Sequence, residues 1–331
     1  MLCMRLNSFQ LLNSTRYLSY YSAKCLTINP FLCDSINSNK RNISSVTYPS
    51  WFMTISDSTP VAYAQKYVVF IHEMTGTSWW ASIIISAVSL RLALTLPLTI
   101  YQHRNNAKIE NLSIEFQPTV KEIQKEVAKN VKLQKWPPNK AQRVYKKAIK
   151  KYWNELIIRD NCHPAKSSIV VWIQLPMWIC LSIAIRNLTL MLPPSNEAVI
   201  RFTELTNGGI LWFTNLTEID SLMCLPLLMC ISNLLIIQVQ TYARNKELTR
   251  KQALTTNIFR GLTIFMLPLS YFLPSGVTLY WTTSSIYGLS QNLILLSPRL
   301  RKWFGIPRTP YNHEKPYQYI IDKTKQTLKV A

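Results

Sequence analysis

The chain sets out its hydrophobic residues in long runs rather than in strict alternation. Ala81 to Ile100 is an apolar stretch with a single charge, Arg91. Ser167 to Ile185 is nineteen residues without charge, and Leu222 to Val239 is eighteen. Gly261 to Ser297 runs thirty-seven residues without charge, too long for one crossing, and Pro274-Ser275-Gly276 breaks it with a turn signal. Twenty helical residues rise about 30 Å, the thickness of a bilayer core. The pattern predicts an all-α membrane protein with five transmembrane helices, at about 79–101, 167–186, 221–240, 258–273 and 277–296. The fourth is short and crosses by taking in Asn257 to Arg260, or where the bilayer is thin.

Between the first two spans the period changes. Ile109, Leu112, Phe116, Val120, Ile123, Val127 and Val131 recur at three- and four-residue steps, and Val144, Ala148, Tyr152 and Leu156 repeat the pattern. Pro118 is expected to interrupt the first stripe and begin a new helix, and Trp136-Pro137-Pro138-Asn139 to turn the chain. An antiparallel helical hairpin over 102–160 follows, with a basic outer face on the inner membrane surface.

Charge orients the spans. Residues 101–166 hold fifteen Lys/Arg against six acids, 241–260 five against one, and the tail from Pro298 eight against two. The 186–220 loop holds two basic and four acidic residues. The positive-inside rule therefore predicts an N-terminus outside, a C-terminus inside and a matrix-side hairpin. The whole chain of 331 residues carries a formal charge of +21 with 48% hydrophobic residues, which favours a membrane protein over a soluble enzyme or a nucleic-acid binder. Residues 1–50, with Arg5, Arg16, Lys24, Lys40 and Arg41 against Asp34 alone and frequent serine, read as a mitochondrial transit segment. The expected organisation continues with an intermembrane-space segment at 51–77, a core at 78–297 and a basic matrix tail at 298–331.

Arg91 is the first functional candidate. A guanidinium at mid-bilayer costs at least about 2.5–3.5 kcal/mol on insertion scales and cannot shed its proton. Such a charge is expected to face a wet cavity or an anionic partner. Other chemistry is absent from the sequence. No phosphate-cradling glycine motif occurs, and His72, His103, His163 and His313 lie far apart with no metal-ligand spacing. The seven cysteines form no C-x-x-C pair. No catalytic residue, cofactor, metal or nucleic-acid partner is expected.

The order of parts resembles the Oxa/YidC/Alb membrane insertases: an arginine-bearing first span, a basic hairpin, three more spans and the string Pro274-Ser275-Gly276-Val277-Thr278-Leu279-Tyr280-Trp281-Thr282-Thr283-Ser284. Leu211-Trp212-Phe213-Thr214-Asn215-Leu216-Thr217 looks like that family's outer-loop motif, and Asn106-Ala107-Lys108 through Pro118 to Gln124 like its hairpin entry. Similarity runs from about Trp79 to Ser297, with Pro97, Pro274, Gly276, Tyr280 and Trp281 as motif positions. Family members that dock ribosomes carry a long basic helical extension. Here 34 residues follow Ser297, and Pro298, Pro307, Pro310 and Pro316 are expected to break helix there, which argues against ribosome docking. The chain thus looks more like the mitochondrial branch devoted to cytochrome c oxidase assembly. That branch is implied to export the C-terminal tail of oxidase subunit 2, with assembly factors as further partners.

The resemblance implies a groove open to the matrix and to lipid, with its positive charge at Arg91. Gln174, Ser232, Asn233, Thr282, Ser285 and Gln291 are the candidate polar lining, chosen as strong hydrogen-bonders inside apolar runs; each taken alone fits an inter-helix hydrogen bond better than a substrate contact. A general insertase is the nearest alternative. A solute channel and a non-translocating assembly scaffold are alternatives of other classes.

Overall fold

The computed structural model describes residues 50–243, 250–309 and 315–330. The transit-segment expectation, residues 1–50, lies outside the described residues except for Ser50. The chain divides into two units at Ile55–Ser56, and the packing described below is that of the second.

Every regular element among the described residues is helical. In chain order they are α1 (Ser50–Ser56), α2 (Thr59–Thr75), α3 (Trp79–Leu90), a π-helical turn (Arg91–Thr95), α4 (Leu96–Gln134), α5 (Pro138–Asp160), α6 (Pro164–Ser167), α7 (Ile169–Thr189), α8 (Asn196–Thr206), α9 (Cys224–Tyr242), α10 (Arg250–Tyr271), α11 (Ser275–Leu296), α12 (Pro298–Trp303) and α13 (Pro316–Val330). Among the described residues, three stretches are long and apolar enough to cross a membrane: Trp79–Gln134, Pro164–Thr189 and Cys224–Tyr242. Helices α10 and α11 lie where the fourth and fifth spans were expected.

Helix α11 occupies the centre, packed against α3, α7 and α9. Its buried residues include Ser275, Thr278, Thr282, Ser284 and Ser285. A helix surrounded by other helices needs less apolar surface than one facing lipid, and its hydroxyls serve as inter-helix hydrogen-bonders. Thr282 Oγ1 donates to Leu225 O at 2.8 Å, and Trp281 Nε1 donates to Ser182 Oγ at 2.8 Å. The main core gathers Trp79, Ile83, Leu181, Ile185, Leu216, Met229, Val277 and Tyr280 around this helix.

Three features depart from the sequence expectation. Residues 59–75, read only as an outer segment, form α2, which starts at a Ser-Thr-Pro signal and stops at Gly76 in the left-handed region, φ 58°. Pro118 does not begin a helix but sits inside α4, which continues to Gln134. Its position is exposed, so the Ile114 carbonyl that loses its intrahelical partner is left to water. The tail prolines do not simply break helix: Pro298 and Pro316 open α12 and α13, where a missing N–H costs nothing. Pro307 is in coil and Pro310 lies outside the described residues. The segment after α12 straps onto α4, with Arg104 Nε donating to Phe304 O at 2.7 Å and Asn111 Nδ2 to Arg308 O at 3.0 Å.

Helices α4 and α5 pack as an antiparallel pair. Leu112, Leu156, Ile157 and Cys162 form the small core at its root, flanked by Ile109, Phe116, Tyr152 and Trp153. Arg159 grips Glu115 with two parallel hydrogen bonds of 2.8 Å and reaches Asp160 at 2.9 Å. These contacts hold the Arg159 proton more firmly than usual and keep the Asp160 carboxyl below the ordinary range, chiefly through the shared hydrogen bonds.

Candidate functional site

Arg91 is the first residue of the π turn, and Pro97 follows six residues later. A proline in a regular helix collides with the carbonyl four residues back, here that of Ala93. The wider turn relieves that conflict: Leu96 N–H reaches back to Arg91 O, and Thr95 Oγ1 donates to the same carbonyl at 2.9 Å. One extra residue per turn also re-aims the side chains before it, which is why such bulges recur at functional sites.

The Arg91 side chain is buried, with 8% exposure. Its Nε donates to Ser284 Oγ at 3.3 Å, and its guanidinium carbon lies 5.8 Å from the centre of the Tyr287 ring. Among the described residues no carboxylate forms an ion pair with it, and its terminal nitrogens have no protein acceptor. A guanidinium carries five N–H donors, so most of its hydrogen-bonding capacity is left for water or for a passing polypeptide. A charge held by one hydroxyl and one ring face is positioned without being neutralised.

The sequence candidates separate. Thr282 is buried but bonded to α9 through Leu225 O, away from Arg91. Ser232 and Ser285 are buried, and Gln174, Asn233 and Gln291 are half-buried; none of the five hydrogen-bonds the guanidinium. Ser284 is the partner that sequence reasoning missed. No local signal separates it from its hydroxyl neighbours, since the choice depends on the rotation of α11 about its axis. Tyr287 is the second omission.

The motif positions other than Pro97 lie at and near the start of α11. Pro274 caps α11 and bridges Ile219. Gly276 N–H donates to Leu216 O at 3.0 Å, and a Cβ there would lie 3.2 Å from that carbonyl. Ser275 donates from both backbone and side chain to Glu218 O. Tyr280 is buried, and the Trp281 ring lies 4.9 Å from that of Trp178. The 208–220 segment is also fixed at two other helix starts. Trp80 N–H donates to Gly208 O at 2.9 Å, and the Asp220 carboxylate accepts the Leu225 N–H of α9 at 2.8 Å. Trp79 stacks on His72 at 3.9 Å and donates from Nε1 to Glu204 at 2.9 Å.

A helical bundle whose helix starts are clamped together at one end, with an unneutralised arginine inside it, has the parts of a membrane insertase. The sequence profile of the 60Kd inner membrane protein family matches residues 70–301, and the chain belongs to that family. It is similar to the human protein "Cytochrome c oxidase assembly protein COX18, mitochondrial", with 40% identity over 279 residues, 84% of this chain and 83% of the relative. The mouse protein of that name is 39% identical over 278 residues, with the same coverage. "Mitochondrial inner membrane protein OXA1" of Arabidopsis thaliana is 26% identical over 251 residues, 76% of this chain and 53% of the relative. These relationships make the chain a multi-pass mitochondrial inner-membrane protein of the Oxa/YidC/Alb insertase class.

Proposed function

We propose that this chain exports the C-terminal tail of cytochrome c oxidase subunit 2 across the inner membrane during oxidase assembly. The similarity to the COX18 proteins over most of both chains supports the narrower branch of the family. In this reading α3 with the start of α4, α7, α9, α10 and α11 are five spans, with the N-terminus outside and the α4–α5 hairpin in the matrix. The observation that carries it is the Arg91 guanidinium, held by Ser284 with its remaining donors unpaired.

A polar tail entering beside Arg91 exchanges bulk water for fixed donors rather than for hydrocarbon. Half-buried Gln174, Asn233 and Gln291 add polar groups along the path. Acidic residues of the tail meet the guanidinium transiently and leave outward, down the membrane potential. Each gains about 2.3 kcal/mol per 100 mV over a full crossing, so no nucleotide is required. The hairpin captures or shields the tail at the groove mouth.

The test is tail export in mitochondria lacking the native chain and supplied with Arg91→Ala. Export falls in the proposed mechanism, and export at the wild-type rate removes it. Deleting Gln102 to Ile157 weakens substrate crosslinking while the spans remain inserted; unchanged crosslinking removes the hairpin's role.

A further inference from the structure

Between α8 and α9 the chain makes a tight reversal that its own residues resist. Ile210 and Phe213 exchange both backbone hydrogen bonds at 3.2 Å, and Gly209 N–H donates to Thr214 O at 2.9 Å. The reversal rests on Leu211 and Trp212, with Leu211 at φ 55°. Two-residue turns that need left-handed backbone normally use Asn, Asp or Gly. A bulky branched residue there is strained. Yet Leu211 is 73% exposed and Trp212 38%, so neither gains a protein core in return.

The base of the turn is rigid. Phe213 and Leu216 are buried in the main core, and a Cβ on Gly209 would fall 1.8 Å from Phe213 O. A strained turn on a rigid base presents two large apolar side chains outward. Its height is also set. Gly208 O holds the Trp80 N–H in the first turn of α3, where the apolar run begins, and Leu216 O and Asp220 hold the starts of α11 and α9. The turn therefore lies at the level where helix starts meet the headgroups, a zone that tryptophan prefers. Ile219, Leu222 and Phe272, also exposed, belong to the same end of the bundle. The charges on this segment are Glu218 and Asp220, and Arg186 of α7 lines the neighbouring cleft together with Glu218, so the turn itself offers no net positive charge to anionic headgroups.

We propose that Leu211 and Trp212 form an interfacial anchor, inserted into the outer-face headgroup region by apolar burial rather than by charge. The anchor sets the depth of the outer loop in the bilayer whatever substrate the groove handles.

The test uses the full chain carrying Leu211→Cys or, separately, Trp212→Cys, labelled with an environment-sensitive fluorophore in phosphatidylcholine vesicles. The labelled wild-type chain corrects for native cysteines, and Thr203→Cys on the exposed face of α8 gives the aqueous reference. A shallow lipid-borne nitroxide is expected to quench the turn label roughly threefold more than aqueous iodide does, unchanged by anionic lipid or salt. Iodide quenching equal to that of the reference overturns the proposal, as does lipid contact that appears only with anionic lipid. Protection from soluble maleimide in mitochondria, combined with aqueous exposure in vesicles, assigns the turn to a protein partner and also overturns it. Using two label positions keeps the test valid if one variant fails to fold. Export is not read, so failure here leaves the proposed function standing.

Discussion

Replacing Arg91 with leucine separates what the charge does for the fold from what it does for transport. Removing the guanidinium recovers about 2.5–3.5 kcal/mol of insertion cost. Against this, the charged hydrogen bond to Ser284 is long at 3.3 Å and loses about 1.5 kcal/mol, at the low end for charged groups. The ring contact at 5.8 Å from Tyr287 loses about 0.5–1 kcal/mol, and leaving the buried Ser284 hydroxyl without its donor costs about 1 kcal/mol more. The terms cancel to within about 1 kcal/mol, so Arg91→Leu is expected to accumulate and melt like the wild type. Export is expected to fail. The assay pairs immunoblotting and detergent thermostability with protease accessibility of the subunit 2 tail on the outer face. Arg91→Lys is expected to retain part of the export, since it keeps charge without the fork. Wild-type export by Arg91→Leu refutes the reasoning about function, and collapse of its steady-state level refutes the reasoning about stability.

Ser284→Ala leaves the charge but frees Nε, and is expected to lower export less than Arg91→Leu does, with Ser284→Thr restoring it in the same protease assay. Trp281→Phe removes the 2.8 Å hydrogen bond to Ser182 and is expected to cost about 0.6 kcal/mol, read as a coupling energy in a double-mutant cycle with Ser182→Ala. Gly209→Ala drives a Cβ to 1.8 Å from Phe213 O and is expected to open the 208–220 loop, seen as new protease cleavage between 205 and 220. At the root of the hairpin, the depressed Asp160 carboxyl contributes stability that is complete above its unfolded value of about 3.9 and lost as pH falls through its folded value. Amide exchange across 112–160 is therefore expected to be flat from neutral pH to about pH 4, after correction for intrinsic rates, and to rise below that; a rise beginning near neutrality refutes the assignment.

The helices at 169–189 and 224–242 were legible because a run of apolar side chains leaves few alternatives. Arg91 was legible for the same reason, as the one charge in such a run. Its partner was not. Thr282 and Ser284 are two residues apart, roughly 200° around a helix, so one binds α9 while the other meets Arg91. Choosing between them requires the rotation of α11, which depends on every neighbour at once. Pro97 did carry a readable signal for the widened turn, because proline inside a helical pattern must be accommodated somewhere upstream. Pro118 carried the same signal, and there exposure left the carbonyl to water. Helix α2 escaped because exposed Lys66 and Glu73 break up its apolar run, although Pro60 and Gly76 marked both ends.

The unbroken course from Trp79 to Gln134 has a mechanical corollary. Fifty-six residues at the usual rise make a course about 84 Å long, loosened at Arg91–Thr95 and again at Pro118. A displacement of the distal hairpin would be carried along α4 toward the Arg91–Thr95 turn, with the C-terminal strap at Arg104 and Asn111 holding the helix between them. Under the proposed function, cargo held by the hairpin would then move the guanidinium itself, and capture and release would be two strokes of the same lever.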